Sequence, residues 1–412
     1  MYFFKIAIRN LFRRKKRTFV AAGVLAFAVF VFLAIDSFML GMMEISFGNL
    51  IDFETAHVQL ARGEYFAEEE DIPLDETFNF DTGFRREIQG FDDVTALTPV
   101  LDFRGNLIAG REEFPVMGRA IEVESFREVF RIDEYIVQGE FLAPGEEGVV
   151  IGAQLAEMLD LEVGDFYTLH FQDATGAFNT IQGEVRGIVS TPSPQINQHT
   201  ALVSHEYAHG AIGVEDTKAS QVMINTTGRE LAEPTAAGMA ERFGEEFNVR
   251  SYRESSEMLE SLEAWITIEN YVILGLILLV GAIGIINVIV LSALERTEEI
   301  GLMKAMGLRE REIVKVFSLE AAGIGFLGGL AGITVGAVIV SLLVRYGLDL
   351  ELFYGENIDA LGIPILERLY GVWNFSAFIF IFIFVILLAL AASLVPSFWA
   401  ARKDPIDAIY HR

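Results

Sequence analysis

Three groups of residues have types and spacings that invite a chemical reading. His205-Glu206-Tyr207-Ala208-His209 has the His-Glu-x-x-His spacing, in which two imidazoles one helical turn apart hold Zn²⁺ and the Glu activates a water. That chemistry would make the chain a membrane-anchored zinc protease. Against it, Gly210 follows at once and weakens the helix that must present both rings, and Ile212 stands where the extended metzincin pattern needs Gly. A third ligand would have to come from Glu215 or Asp216 through a turn. Catalytic zinc on His205, Glu206 and His209 is therefore the minor reading, and an ordinary connection between elements the major one. No Gly-x-x-x-x-Gly-Lys-Ser/Thr occurs anywhere in the 412 residues, so by this route the chain hydrolyses no ATP, and any energy must come from a partner. With no Cys, disulfides, thiolate metal sites and Cys nucleophiles are excluded.

The second group is the stretch Glu295 to Arg309. It alternates charge around an apolar set at Ile300, Met303 and Met306, which predicts a short amphipathic helix at a membrane surface, ended by Gly307. A balanced-charge connector is the plainer alternative. The third group is Gly328, Gly332 and Gly336, repeating every four residues on one helix face and inviting close approach of another helix, in the same subunit or a neighbouring one, with the second mildly favoured. Asn287 is an amide at membrane depth that should bond to a neighbouring helix, with a substrate contact as the minor alternative.

The elements that must carry these groups follow from where charge is absent. The composition is 52% hydrophobic with a formal net charge of −27, yet the mean hydropathy is +0.38, so charge and apolar residues are segregated along the chain. Runs long enough to cross a bilayer give an α-helical membrane protein with four transmembrane helices, at 18–43, 270–294, 318–344 and 375–399. A cleaved signal peptide competes for the first span, but its apolar run is long and no small-x-small site follows it. Asp36 falls near the far interface, where its carboxylate should reach water. The first 17 residues hold seven basic side chains and no acid. They predict an interfacial helix over 1–17, with Phe4, Ile8, Leu11 and Phe12 against Lys5, Arg9 and Arg13. Between Glu44 and Glu269, 44 acidic residues face 14 basic ones. The positive-inside rule puts both termini, the 400–412 tail and the 295–317 loop in the cytoplasm, with 44–269 and the loop 345–374 outside, in the cytoplasmic (inner) membrane. Nucleic acid is excluded as a partner, because the basic surplus is confined to the amino terminus.

The outside segment reads as a large α+β extracytoplasmic domain inserted between helices 1 and 2. Strand patterns occur at Ala56 to Leu60, Leu107 to Gly118, Gly148 to Ile151, Phe166 to Phe171 and Gln221 to Asn225, and helical windows at Ala153 to Leu159 and Leu231 to Phe243. The expected division is an α/β porter-like part from 44–120 and 216–269, with a β-rich part at 121–215 inserted in it. From Ser255 a helical spacing runs into the second span without Pro or Gly before Gly275. Such a helix would join the outside domain rigidly to the 295–317 loop.

The stretch ERTEEIGLMKAMGLREREIVKVFSLEAAGIGFLGG from Glu295 resembles the signature of the FtsX-like/MacB-type permease family of ABC transporters. AIRNLFRRKKRT before the first span, VVIGAQLAEMLDLEVGDFYTL in the outside domain and VPSFWAARKDPIDAI near the end fit it too, in the right order. The layout resembles that of the lipoprotein-releasing LolC/LolE permeases. The resemblance implies a non-catalytic subunit of a homo- or heterodimer, bound in the cytoplasm to a dimer of a separate LolD-like ATPase that carries the ATP and Mg²⁺. It implies mechanotransmission as the mode of action, lipoprotein or lipid as cargo, and a periplasmic carrier as a further partner. Carried over by position, the ATPase-coupling helix falls on Glu298, Glu299, Ile300, Lys304, Ala305 and Gly307. MacB-like efflux and peptide sensing or resistance are the alternatives within the family. One departure is the short Gln172 to Thr180 connection, where the LolC type has a protruding carrier-capturing loop. Either that loop is missing, as in a LolE-like subunit, or the Pro-containing Thr191 to Thr200 stretch replaces it.

Overall fold

The computed structural model describes residues 9, 11, 13, 15–67, 72, 74–255, 257–295, 297–305, 307–349 and 368–402. The interfacial residues Phe4, Lys5, Ile8 and Phe12, Met306, most of the 345–374 loop and most of the tail lie outside that set. The chain divides into two compact units. One contains Met1–Met43, Leu262–Asp349 and Arg368–Arg412, and the other Glu44–Ser261 and Leu350–Glu367.

The first unit is mainly helical, with one short strand pair, Leu348–Asp349 with Arg368–Leu369. Among the described residues, four helices are long and apolar enough to cross a membrane: Thr18–Thr55, Ala264–Glu295, Glu310–Tyr346 and Phe375–Arg402. Each extends beyond the span read from the sequence, because helix propensity and the hydrogen-bond ladder do not stop where the apolar run does. The third helix is the hub. Its Gly328, Gly332 and Gly336 face the first helix so closely that a Cβ at Gly332 would lie 2.6 Å from Val29 Cβ and 2.8 Å from the Ala26 carbonyl oxygen. Its Gly325 and Gly329 approach the fourth helix at Ala389 and Phe382 in the same way. The glycine stripe therefore packs within the subunit, and not as the contact between subunits that the spacing mildly favoured. Asp36 also departs from expectation. It is 8% exposed and accepts a 3.0 Å hydrogen bond from Asn374 Nδ2, so an amide on the segment entering the fourth helix does what water was expected to do.

The second unit is built on one ten-stranded sheet. Its strands are β1 (Val58–Arg62), β3 (Val94–Ala109), β4 (Glu112–Ile121), β5 (Ile136–Gly139), β6 (Gly148–Gly152), β7 (Phe166–Gln172), β8 (Phe178–Val189), β9 (Thr200–Ser204), β11 (Gln221–Thr226) and β12 (Phe247–Ser251). A small separate pair is formed by β2 (Phe78–Asn79) and β10 (Lys218–Ala219). The main order is β12-β1-β11-β3-β4-β9-β6-β8-β5, and β7 pairs with both β3 and β8. The pairings β3-β4-β9-β6-β8-β7 thus return to β3 and close a six-stranded barrel. Residues at every second position fill its interior, among them Leu101, Phe103, Leu107, Val149, Ile151, Leu169 and Val203. Gly118 is needed there, since a Cβ would stand 2.3 Å from the Phe103 ring.

The expected boundary at 120/121 is not where the domain divides. β3 is 16 residues long. Val94–Val100 pairs with β11 in the open layer, and Gly105–Ile108 pairs with β7 in the barrel. One strand therefore belongs to both parts, and β3 and β4 come from the segment assigned to the other one. In the open layer, β11, helix Ala232–Phe243 and β12 form a split βαβ unit with β1 between its strands. A cluster of Phe78, Phe84, Phe243 and Phe247 packs against it at ring separations of 5.0 to 6.5 Å. Entry to this unit is strained. After helix Lys15–Leu50 comes a five-residue π turn, Ile51–Thr55, and then the buried Ala56 at φ +55°, ψ −166°, a backbone region that is nearly exclusive to Gly.

Candidate functional site

Helix Thr297–Ala305 is held at both of its apolar contacts and stopped hard. Ile300 is 2% exposed and the half-buried Met303 packs beside it, against a core that includes Leu11, Ile313 and Phe317. Gly307 takes φ +92°. Its N–H donates to Lys304 O at 2.9 Å and that of Leu308 to Met303 O at 3.1 Å, which closes the helix end. Glu312 Oε2 then accepts from the Arg309 N–H at 2.8 Å and opens the third membrane helix, Glu310–Tyr346. The outcome is a helix-Gly-helix corner with Glu299 and Leu302 exposed. Arg13 Nη1 lies 3.3 Å from Glu299 Oε1, and both side chains are solvated.

Of the six coupling positions, Glu299 and Gly307 are exposed and Lys304 is half-buried. The side chains of Glu298 and Ala305 lie outside the described residues. Ile300 is different: buried as it is, it anchors the corner and offers no surface to a partner. Asn287 projects from the second helix as an exposed residue. Among the described residues of the corner no nucleophile or acid–base pair is brought together.

The His-Glu-x-x-His residues sit where β9 passes into helix His205–Ile212. Contrary to expectation that helix runs through Gly210, because the buried Ala208 and Ile212 hold its inner face. Its histidines are turned to the backbone. His205 Nε2 is 2.7 Å from the Asp216 carbonyl oxygen, so that nitrogen must carry the proton, and His209 Nδ1 is 3.1 Å from the His205 carbonyl oxygen. Burial holds the His205 imidazole below its ordinary pKa. The Glu206 carboxylate lies beside Gly145, where a Cβ would come within 2.9 Å of Oε2. Among the described residues no three His, Asp or Glu side chains are grouped to hold a metal ion. Glu215 and Asp216 close a turn and are not brought to the rings as side-chain ligands.

Neither candidate for a projecting loop projects. The β7–β8 turn is a tight one, in which Asp173 Oδ1 accepts from the N–H groups of Thr175 and Ala177 at 2.9 and 3.0 Å. The Thr191 to Thr200 stretch forms helix Pro194–His199, capped by Ser193 Oγ and anchored by the buried Ile196.

One region escaped sequence reading altogether. On the outer face of β3 and β4, the side chains alternating with the barrel interior (Asp102, Arg104, Asn106, Met117, Arg119) line a cavity of about 880 Å³. Arg119 and Asp102 are 4% and 1% exposed. Arg119 Nε donates to Asp102 Oδ1 at 2.7 Å and Nη2 to Oδ2 at 3.1 Å, and Gln221 Nε2 adds a 2.6 Å bond to Oδ2. A Lys or Arg in a strand pattern ordinarily signals solvent, and nothing local announces that this face is covered.

Comparison with known proteins bears on the helical unit first. Residues 271–405 match the family model described as FtsX-like permease C-terminal. The chain is 26% identical over 238 residues to the macrolide export ATP-binding/permease protein MacB of Psychrobacter cryohalolentis, a match covering 57% of this chain and 32% of that protein. It is 23% identical over 311 residues to the lipoprotein-releasing system transmembrane protein LolC of Xylella fastidiosa, covering 74% of this chain and 75% of LolC. The chain thus spans about a third of the MacB relative and three quarters of the LolC one. Among solved structures, the periplasmic region of MacB from Actinobacillus actinomycetemcomitans aligns with 52% of this chain and 96% of its own, at 14% identity and a TM-score of 0.36.

Proposed function

For this member of the FtsX/MacB-type ABC transporter permease family, we propose the role of a non-catalytic membrane subunit that extracts or releases lipoprotein, or other hydrophobic cargo, from the outer leaflet of the inner membrane. ATP and Mg²⁺ bind a separate LolD-like ATPase dimer, which seats the corner around Glu299 and Gly307. A second permease subunit, identical or not, completes the membrane part. Both termini and the 295–317 loop face the cytoplasm, and a periplasmic carrier receives the cargo.

The observation that carries this reading is the similarity to LolC over three quarters of that protein's length. The corner supports the mechanical part. Buried Ile300 and the closed end at Gly307 make it move as one piece with the third helix, so a push from an ATPase is not dissipated in a flexible loop. MacB-like efflux is the second reading, favoured by the MacB similarity over 57% of the chain.

The test is co-expression with candidate ATPases, followed by release of labelled lipoprotein from proteoliposomes. Glu299→Lys and Gly307→Pro should each preserve folding and abolish ATP-dependent release, the second because Pro can neither take φ +92° nor donate the 2.9 Å bond to Lys304. Release that proceeds normally in both variants overturns the coupling. ATP-driven movement of a small hydrophobic compound, with lipoprotein left in place, selects efflux.

A further inference from the structure

The cavity beside β3 and β4 has the dimensions of a small-molecule site, with apolar walls from Leu50, Phe66, Val116 and Ile196 as well as its charged ones. Its charges are not equally free. Asp102 is saturated by two Arg119 bonds, one from Gln221 and a longer one from the Tyr65 hydroxyl at 3.5 Å, which makes the Arg119–Asp102 pair a closed, neutral unit. Arg250 is committed as well: its Nε donates to Gln59 Oε1 at 2.7 Å and its guanidinium carbon sits 3.8 Å above the Phe66 ring. Glu254 accepts from the Ser251 N–H.

Glu54 is the exception. Its carboxylate accepts one hydrogen bond, from the neutral Ser193 Oγ, and among the described residues no cation comes within salt-bridge distance of it. Arg119 gives a 3.4 Å bond only to the Glu54 main-chain oxygen. A half-buried carboxylate whose one hydrogen bond comes from a neutral donor has no charge-assisted partner, and Arg119 acts on it only through space.

We propose that this cavity binds an amphipathic organic amine, a single ammonium group on an apolar body, with Glu54 taking the ammonium and the apolar wall taking the body. An ammonium would supply the charge-assisted bonds that Ser193 cannot, and its body would replace water along Leu50 and Ile196. Glu54 lies in the π turn Ile51–Thr55 that ends the first long helix, so occupancy bears directly on that turn. The proposal stands apart from the transport reading and does not depend on which cargo is moved.

Three fluorescent probes differing only in charge test it: dansylcadaverine, its N-acetylated form, and the matching dansyl-aminohexanoic acid. Each is titrated against the full chain in nanodiscs, with empty nanodiscs as the blank. The amine should bind about tenfold or more tightly than either analogue, as a charged hydrogen bond implies. Glu54→Gln, which keeps an acceptor for Ser193, should erase that preference while circular dichroism stays unchanged. As an independent check, Gln195→Cys places one thiol on the cavity wall of a chain that has none, and its maleimide adduct should block the amine with Glu54 intact. Equal binding of the three probes, tighter binding of the carboxylate, unaltered binding to Glu54→Gln, or no effect of the adduct would each overturn the assignment.

Discussion

Substituting Gly332 by Ala tests how the membrane unit is assembled. The new methyl carbon would lie 2.6 Å from Val29 Cβ, 2.8 Å from Val29 Cγ1 and 2.8 Å from the Ala26 carbonyl oxygen. Carbon contacts are optimal near 3.5–4.0 Å, so the first and third helices must part locally by about 1 Å. Two of those atoms, a Cβ and a main-chain oxygen, cannot rotate away. Overpacking of this kind costs about 1–3 kcal/mol, and the better helix propensity of Ala returns at most about 1, so a net loss of about 1–2 kcal/mol is expected. Gly336→Ala is the graded control. Its nearest neighbour, at 2.7 Å, is the terminal Leu33 Cδ1, which can turn aside, and the loss should stay under about 0.5 kcal/mol. Gly284 has nothing within 4 Å, and Gly284→Ala should leave the isolated subunit as stable as before. The assay is unfolding of the purified subunit by SDS in mixed micelles, followed by circular dichroism. If Gly332→Ala unfolds like the parent and instead abolishes subunit association, the stripe lies between subunits and the packing argument is wrong.

Two other expectations concern the second unit. Arg119→Leu or Asp102→Leu alone leaves a buried charge unpaired and should cost about 3–5 kcal/mol in denaturant unfolding, whereas the double variant should cost clearly less than the sum. His57 and His205 are both held below the ordinary imidazole value by burial, so the unfolded chain binds more protons than the folded one. Stability should therefore fall as pH drops through about 6.5, and thermal melts of His205→Gln between about pH 7.5 and 5.5 should show a shallower decline than the parent.

Much of the architecture was legible because it depends on short-range patterns. Four uncharged runs make four helices wherever a bilayer supplies no hydrogen bonds. Alternation at Gly148 to Ile151 and Phe166 to Phe171 became β6 and β7, and the window Ala153 to Leu159 became a helix with those ends. The corner at Gly307 was legible too, since few residues but Gly stop a helix at positive φ. Other matters required the whole chain folded. Whether Gly328, Gly332 and Gly336 meet their own first helix or a neighbour's cannot be read from a period of four. The closure of the barrel through β7 rests on pairings between residues sixty or more positions apart. The alternation Leu101-Asp102-Phe103-Arg104 says which side chains share a face, and marks the charged face for water. Only the covering of that face by the π turn, helix Pro194–His199 and Tyr65 to Ala67 turned it into a cavity. Burial depends on what segments distant in sequence cover, and a local pattern carries no record of that.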